Sequence, residues 1–332
     1  MPSQGTILVT GASSFIGAHV LELFLAEGTK IRGVVRSQAS ADRVLKVNQK
    51  YASLLEFAIV PDITKPDAFD EAVRGVDGVI HMASPFRLEV ENNERDLLVP
   101  AIEGTSNVLE SIHKHAPQVK RVVITSSFAA LVDLSKGLRP GHVYTEKDWN
   151  PATFEESKTE SIGRKAGMGL CQGEEAQLYA LDHASPVVYG PNHHYIDDLS
   201  NLNESSGMFY SLMNGSRKDV PPTGFWAIAD VRDVALAHKL AYETPSAAGQ
   251  RYFTTAGLFS FQQICDILRE EFPEELRGRV PVGRPGEPIA GVYDVNNGKA
   301  RRELGMEFIP LREIVVDTAR NLLALERKLG KA

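Results

Sequence analysis

Residues 6–17, TILVTGASSFIG, decide how the chain is to be read. A β-branched run, Thr6–Val9, ends at Gly11, and an amphipathic stretch begins at Ile16. Strand, glycine turn, helix start is the context a dinucleotide fingerprint requires. Gly11 permits a tight turn, and Gly17 lets the helix pack closely on its strand. Between them the backbone N–H groups of Ser13, Ser14, Phe15 and Ile16 open the helix, where N–H groups and dipole together favour a pyrophosphate. The middle position, where a glycine lets backbone approach phosphate, is Ser14, and its hydroxyl is expected to face the phosphate.

Outward from this unit, Ile31–Val35, Leu55–Val60, Gly78–His81 and Arg121–Thr125 read as strands without polar alternation, as when both faces of a sheet are covered. Ile16–Ala26, Ala41–Tyr51, Ala68–Arg74 and Leu97–His115 have helical spacing between them. The alternation predicts an α/β fold, a Rossmann-like doubly wound parallel sheet. After about residue 190 the pattern loosens, with a strand at Arg251–Thr254 and helices at Phe261–Glu271 and Leu311–Leu329. The expected division is 1–190 for the nucleotide-binding domain. Residues 191–332 are mainly a smaller C-terminal α/β substrate lobe, with some segments returning to the first domain.

The second strand ends Val34-Val35-Arg36-Ser37, with no acid to receive a ribose 2′-hydroxyl. An arginine there can pair with a 2′-phosphate in a forked, charge-assisted geometry, so Arg36 points to NADP over NAD. Arg32, Arg43 and Lys46 are read as solvated surface charges.

Composition narrows the rest. The formal charge of −7 offers no basic footprint for nucleic acid. No apolar run reaches the ~18 residues of a membrane span, and no signal peptide is evident. Two cysteines, Cys171 and Cys265, suit a reducing compartment, so a cytoplasmic protein, monomer or homodimer, is expected.

Beyond the fingerprint, the chain carries IRGVVRS at 31–37, Pro61-Asp62-Ile63, VIHMASPF at 79–86, PAIEGTSNVLES at 100–111, RVVITSSFAA at 121–130, TEKDWNP at 145–151, PVVYGP at 186–191 and ADVRDVALAH at 229–238. With these motifs it resembles the extended short-chain dehydrogenase/reductases of the NAD-dependent epimerase/dehydratase type, in their dihydroflavonol-reductase-like and fungal ketoreductase branch. The resemblance implies adenine contacts at Asp62 and Ile63. It implies a ribose and nicotinamide lining at Ala83, Ser84 and Pro85, and nicotinamide contacts at Pro186 and Val188. Ser127 is implied as the catalytic serine, with Ser126 as the alternative. Phe86, Phe128, His194 and Tyr195 would face a small-molecule carbonyl substrate, and core packing is the equal reading for the two phenylalanines. Asp230, Arg232 and Asp233 read as a structural ion-pair and capping cluster. His193-His194 lacks a third ligand at metal spacing.

The same resemblance implies a tyrosine four residues before a lysine, on the helix after TEKDWNP. None of the nine tyrosines has Lys at that spacing. Phe154 stands four residues before Lys158 but has no hydroxyl, and it reads as structural. Residues 160–185, ESIGRKAGMGLCQGEEAQLYALDHAS, also fit the family poorly. Met168-Gly169 is encoded ATG GGN, and reading one base later forces tryptophan. Permitted codons in that frame turn Met168–Ala180 into WDFVKEKKPNFTL, a family-like helix end and strand start. We expect residues 160–185 to be an out-of-frame window and the segment bearing the tyrosine to be missing just before it. The window is then expected to disrupt a helix and a strand of the main sheet. The leading function is an NADPH-dependent reductase of ketones or aldehydes, impaired in this chain. A silent NADP-binding sensor or partner protein competes with it, and an epimerase is the weaker alternative.

Overall fold

The computed structural model describes residues 5–84, 91–158, 180–185 and 187–330. Its strands are β1 (Thr6–Thr10), β2 (Lys30–Val35), β3 (Leu55–Ile59), β4 (Gly78–His81), β5 (Val122–Ser127), β6 (Val143–Tyr144), β7 (Ala180–Ser185), β8 (Val187–Tyr189), β9 (Ala227–Asp230), β10 (Arg251–Phe253), β11 (Gly257–Leu258) and β12 (Asp294–Val295). Among the described residues, seven strands form one sheet in the order β10-β7-β5-β4-β1-β2-β3. Every pairing within it is parallel. Strand order reverses at β1, with β2 on one side and β4 on the other. That switch point opens a crevice at the carboxyl ends of both strands.

The helices are α1 (Phe15–Ala26), α2 (Gln38–Val47), α3 (Val99–His115), α4 (Phe154–Ser157), α5 (Glu204–Met213), α6 (Val231–Glu243), α7 (Phe261–Glu271), α8 (Gly298–Leu304) and α9 (Leu311–Lys328). α1 and α6 share the core on one sheet face, where Val20, Leu21 and Phe24 meet Ala237 and Ala241. The opposite face is covered by Val108 of α3 and by Phe69, Val73 and Val76. Both faces of the strands are therefore dry, which explains their lack of polar alternation. A separate core joins Tyr189, α5, α7 and α9 through Phe209, Ile264, Leu268, Ile314 and Leu322. The strands β11-β9-β8 form a small second sheet beside it.

Two expectations need correction. Residues 68–74 form turns, not a helix: Asp67 has φ +58° and Gly75 φ +72°, and this short run keeps its apolar side chains on the sheet without regular helix bonds. The strand expected to be disrupted within 160–185 is present in backbone as β7, paired with β5 and β10. Two parallel neighbours supply its backbone hydrogen bonds, which do not depend on side-chain identity. The rest of the window expected to be out of frame lies outside the described residues, as do all side chains of 180–185.

The Asp230 cluster ties the two cores together. Asp230 is fully buried and caps α6 by accepting from the Arg232 N–H; the Arg232 guanidinium forks onto the same carboxylate and reaches Asp317 of α9 at 2.8 Å. Asp233 accepts from the Ile309 N–H at 2.8 Å. Burial pushes its carboxyl up to about 6, and nearby Asp230 and Glu313 add to this against Ile309 and Arg232. A folded pKa raised above the ordinary 3.8 means that its stabilising contribution is complete below pH 3.8 and lost as pH rises through 6. Asp233→Asn should therefore raise Tm at pH 8, by on the order of 1–3 kcal/mol of stability, and give no gain near pH 4. An equal gain at both pH values in thermal melts would contradict this assignment.

Candidate cofactor and active site

The turn from β1 into α1 is built by close approach. Gly11 has φ +70°, and a Cβ there would lie 3.3 Å from the Ala83 amide nitrogen. A Cβ on Gly17 would sit 2.2 Å from the Gly11 carbonyl oxygen, so the first turn of α1 rests directly on the loop. Gly17→Ala must displace backbone there and should cost a few kcal/mol, roughly the range of a severe single substitution, read as a lower Tm with weakened nucleotide binding.

Ser14 is the N-cap of α1: its Oγ accepts from the Gly17 N–H at 3.1 Å. The hydroxyl oxygen thus serves the helix first, a change from the phosphate-facing role expected of it, and its O–H remains a donor toward the open side. Ser13 and Ser14 are exposed, Ile16 is half-buried, and Phe15 is buried under the turn.

Thr10 was not foreseen. Its Oγ1 accepts from the N–H groups of Met82 and Ala83, at 2.9 and 3.0 Å, and lies 2.9 Å from Nδ1 of His81. Burial pushes His81 down to about 4, so the ring is neutral and Nδ1 accepts the threonine proton. This clamp fixes the ends of β1 and β4 on either side of the crevice. Its only trace in the sequence is a threonine before Gly11 and a histidine ending VIH.

At the end of β2, Arg36 is exposed and makes no ion pair with any described residue. Arg32 instead bonds Glu56 and the carbonyl oxygens of Ala72 and Arg74. Asp62 is drawn into its own turn, accepting from the N–H and O–H of Thr64, which hold its carboxyl below the usual range. Ile63 packs beneath α3, where a Cβ on Gly104 would come within 2.7 Å of its Cδ1.

Ser127 ends β5 and caps the short turn Phe128–Ala130, its Oγ accepting from the Ala129 N–H at 3.2 Å. It is half-buried, and its O–H proton remains free to donate. Ser126 is buried, and its Oγ has no hydrogen-bond partner among the described residues. Ala83 and Val188 are half-buried and Ser84 is exposed near the crevice. Pro85, Phe86 and Pro186 lie outside the described residues.

Two substrate-facing expectations change. Phe128 is fully buried, stacked on Phe253 at 5.0 Å with Tyr144 and Tyr293 edge-on, and so is a core residue. Tyr195 lies on α2, its ring 4.8 Å from Lys46 Nζ and 5.8 Å from the Arg43 guanidinium carbon. His194 sits against Phe15, beside the glycine turn. No cluster of metal-ligating side chains occurs among the described residues, and no described helix is long and apolar enough to cross a membrane.

The family model described as the 3-beta hydroxysteroid dehydrogenase/isomerase family matches residues 8–277. The chain belongs to that family. Within it, the chain is 35% identical over 348 positions to the NADPH-dependent methylglyoxal reductase GRE2 of Saccharomyces cerevisiae, covering 98% of this chain and 100% of the relative. It is 34% identical over 336 positions to the ketoreductase azaE of Aspergillus niger, covering 96% and 97%. The crystal structure of the yeast methylglyoxal/isovaleraldehyde reductase Gre2 complexed with NADPH superposes with a TM-score of 0.91 at 33% identity, over 98% of this chain and 100% of that one. A UDP-glucose 4-epimerase from Thermotoga maritima shares the fold alone, at 19% identity and a TM-score of 0.70. The alignment with GRE2 spans 348 positions although this family member has 332 residues, so GRE2 carries residues with no counterpart here.

Proposed function

We propose that this chain is an NADP(H)-binding carbonyl reductase by descent whose own turnover is impaired. The observation that carries the cofactor half is Arg36, an exposed cation with no ion pair among the described residues, at the end of the strand beside the glycine turn. A forked guanidinium there suits a 2′-phosphate. The N–H groups from Ser13 to Gly17 suit the pyrophosphate. Backbone around Asp62 and Ile63 would meet the adenine, and Ala83, Ser84, Pro85, Pro186 and Val188 would line the ribose and nicotinamide. The names and cofactors of the relatives at 33–35% identity support the same reading.

Bound NADPH would supply a hydride to the carbonyl carbon of a ketone or aldehyde. Ser127 would hold the carbonyl oxygen with its O–H, since its lone pair is already engaged by Ala129. The buried Ser126 is the poorer choice because its side chain is shielded from the crevice. A proton must then reach that oxygen, and no tyrosine stands four residues before a lysine anywhere in the chain. This absence favours a second reading, a silent NADP-binding protein.

Fluorescence titration with NADPH, followed by turnover assays on diketones and aldehydes, separates the two. Saturable binding with trace turnover is expected. No binding would end the cofactor assignment, and turnover equal to that of GRE2 would end the claim of impairment.

A further inference from the structure

The segment that follows β8 crosses from the second core to the nucleotide-binding helices within a few residues. On the far side, Asn321 of α9 accepts from the N–H and side-chain amide of Asn192, at 2.9 and 3.1 Å, and Ser206 of α5 donates to Asn192 Oδ1 at 3.0 Å. On the near side, the Nε2–H of His19 donates to the Pro191 carbonyl at 2.9 Å. The His193 ring lies 5.5 Å from that of His19, with its Nε2 3.6 Å from Glu22 Oε2. His194 meets Phe15 edge-on at 6.0 Å, and its Nδ1 is buried with no hydrogen-bond partner among the described residues. Tyr195 then reaches Lys46 and Arg43 of α2, and Asp197 pairs with Arg43 at 3.7 Å.

Phe15, His19 and Glu22 form one stripe of α1 that begins at the glycine turn. Residues 191–197 therefore strap that turn and α2, whose start adjoins Arg36, to the second core. Three imidazoles fasten the strap, and the burial of two of them, His19 and His194, favours their neutral form. Burial lowers the proton affinity of His19, against the pull of the Pro191 carbonyl, and pushes His194 down to about 4 with His19 and His193 adding. The surrounding charges cannot absorb two imidazolium ions. Glu22 already holds Lys50 and the Tyr51 hydroxyl, the fields of Asp230 and Arg232 on His19 are opposed, and Arg43 and Lys46 lie at the Tyr195 end.

We propose that His19, His193 and His194 form a latch that holds the 191–197 strap closed beside the NADP(H) site at neutral pH and releases it on acidification, so that cofactor retention falls with pH. The inference rests on the NADP(H) reading above. The sign follows from linkage: a histidine whose proton affinity is lowered in the closed state binds protons better when the strap is open. Closure is therefore complete above the ordinary histidine range and weakens below about pH 6.5. At pH 5.5 His194 favours opening by roughly tenfold, and His19 adds in the same direction.

Hydrogen exchange of the 190–197 amides in the cofactor-free protein, at pH 7.5 and 5.5 and corrected for intrinsic rates, reads the latch directly. Opening should rise at least tenfold at the lower pH in the wild type. His194→Phe keeps a ring against Phe15, and His19→Gln keeps a donor for Pro191; each should flatten the rise, with His194→Leu as a further variant should one of these not fold. Opening that is unchanged with pH, or variants that follow the wild type, would overturn the latch. Calorimetric titration with NADP⁺ at both pH values then tests the link to the cofactor. The affinity of the wild type should fall more steeply with acid than that of His194→Phe, which shares any titration of the cofactor itself. Parallel curves would overturn the link, whereas no binding at either pH would fail the cofactor reading while exchange still decides the latch.

Discussion

Replacing residues 159–179 with a helix that carries a tyrosine four residues before a lysine should raise turnover on aldehydes and diketones by on the order of 10²–10⁴. That range is what a positioned proton donor contributes, and a neighbouring ammonium would keep the phenol acidic enough to serve. Binding of NADPH should improve far less, because the glycine turn and Arg36 are already in place. In the restored chain, Ser127→Ala should lower kcat with little effect on NADPH affinity, since the serine acts on the substrate oxygen. The nucleotide sequence across codons 150–190 offers an independent check: a +1 reading that restores Tyr-x-x-x-Lys is expected there. A restored chain that binds NADPH but stays inactive would mean that Ser127 and its surroundings are not a reductase site.

The second large effect is expected at Arg36. A charge-assisted hydrogen bond is worth about 1.5–3 kcal/mol, so Arg36→Ala should weaken NADPH binding roughly 10- to 150-fold. Affinity for NADH, which lacks the 2′-phosphate, should hardly move. Arg36→Lys should fall between them, because an ammonium keeps the charge but loses the fork. Equal losses for both cofactors would place Arg36 outside the phosphate site and pass the role to Arg43 or Lys46.

The fold was legible because its signal is repetitive. Buried parallel strands read as apolar runs, and β1, β2, β4 and β5 fall where those runs lie. Residues 68–74 misled because their apolar side chains have helical spacing while the backbone is held in turns, and Asp67 carries a left-handed φ that no propensity announces. The glycine turn was legible because it depends on residue type at a fixed place, and the proposal for Arg36 rests on the same kind of signal. Thr10, His81 and the 191–197 strap were not legible, because each acts through contacts made across long sequence separations. Phe128 shows the limit of analogy: the residue after the TSS motif could face substrate or core, and only the stack on Phe253 decides it.

The main sheet has a further consequence for how the protein is made. Its outer strand, β10, comes from Arg251–Phe253, and α6, which shares a core with α1, comes from Val231–Glu243. A chain emerging from the ribosome therefore cannot complete its nucleotide-binding half when residue 190 appears. Until residue 253 is out, β7 presents an unpaired edge and α1 lacks its partner, an invitation to strand-to-strand association between nascent chains. A fragment ending at 190 should accordingly aggregate rather than fold. The two halves are one unit of synthesis, whatever the division of labour between them in the finished molecule.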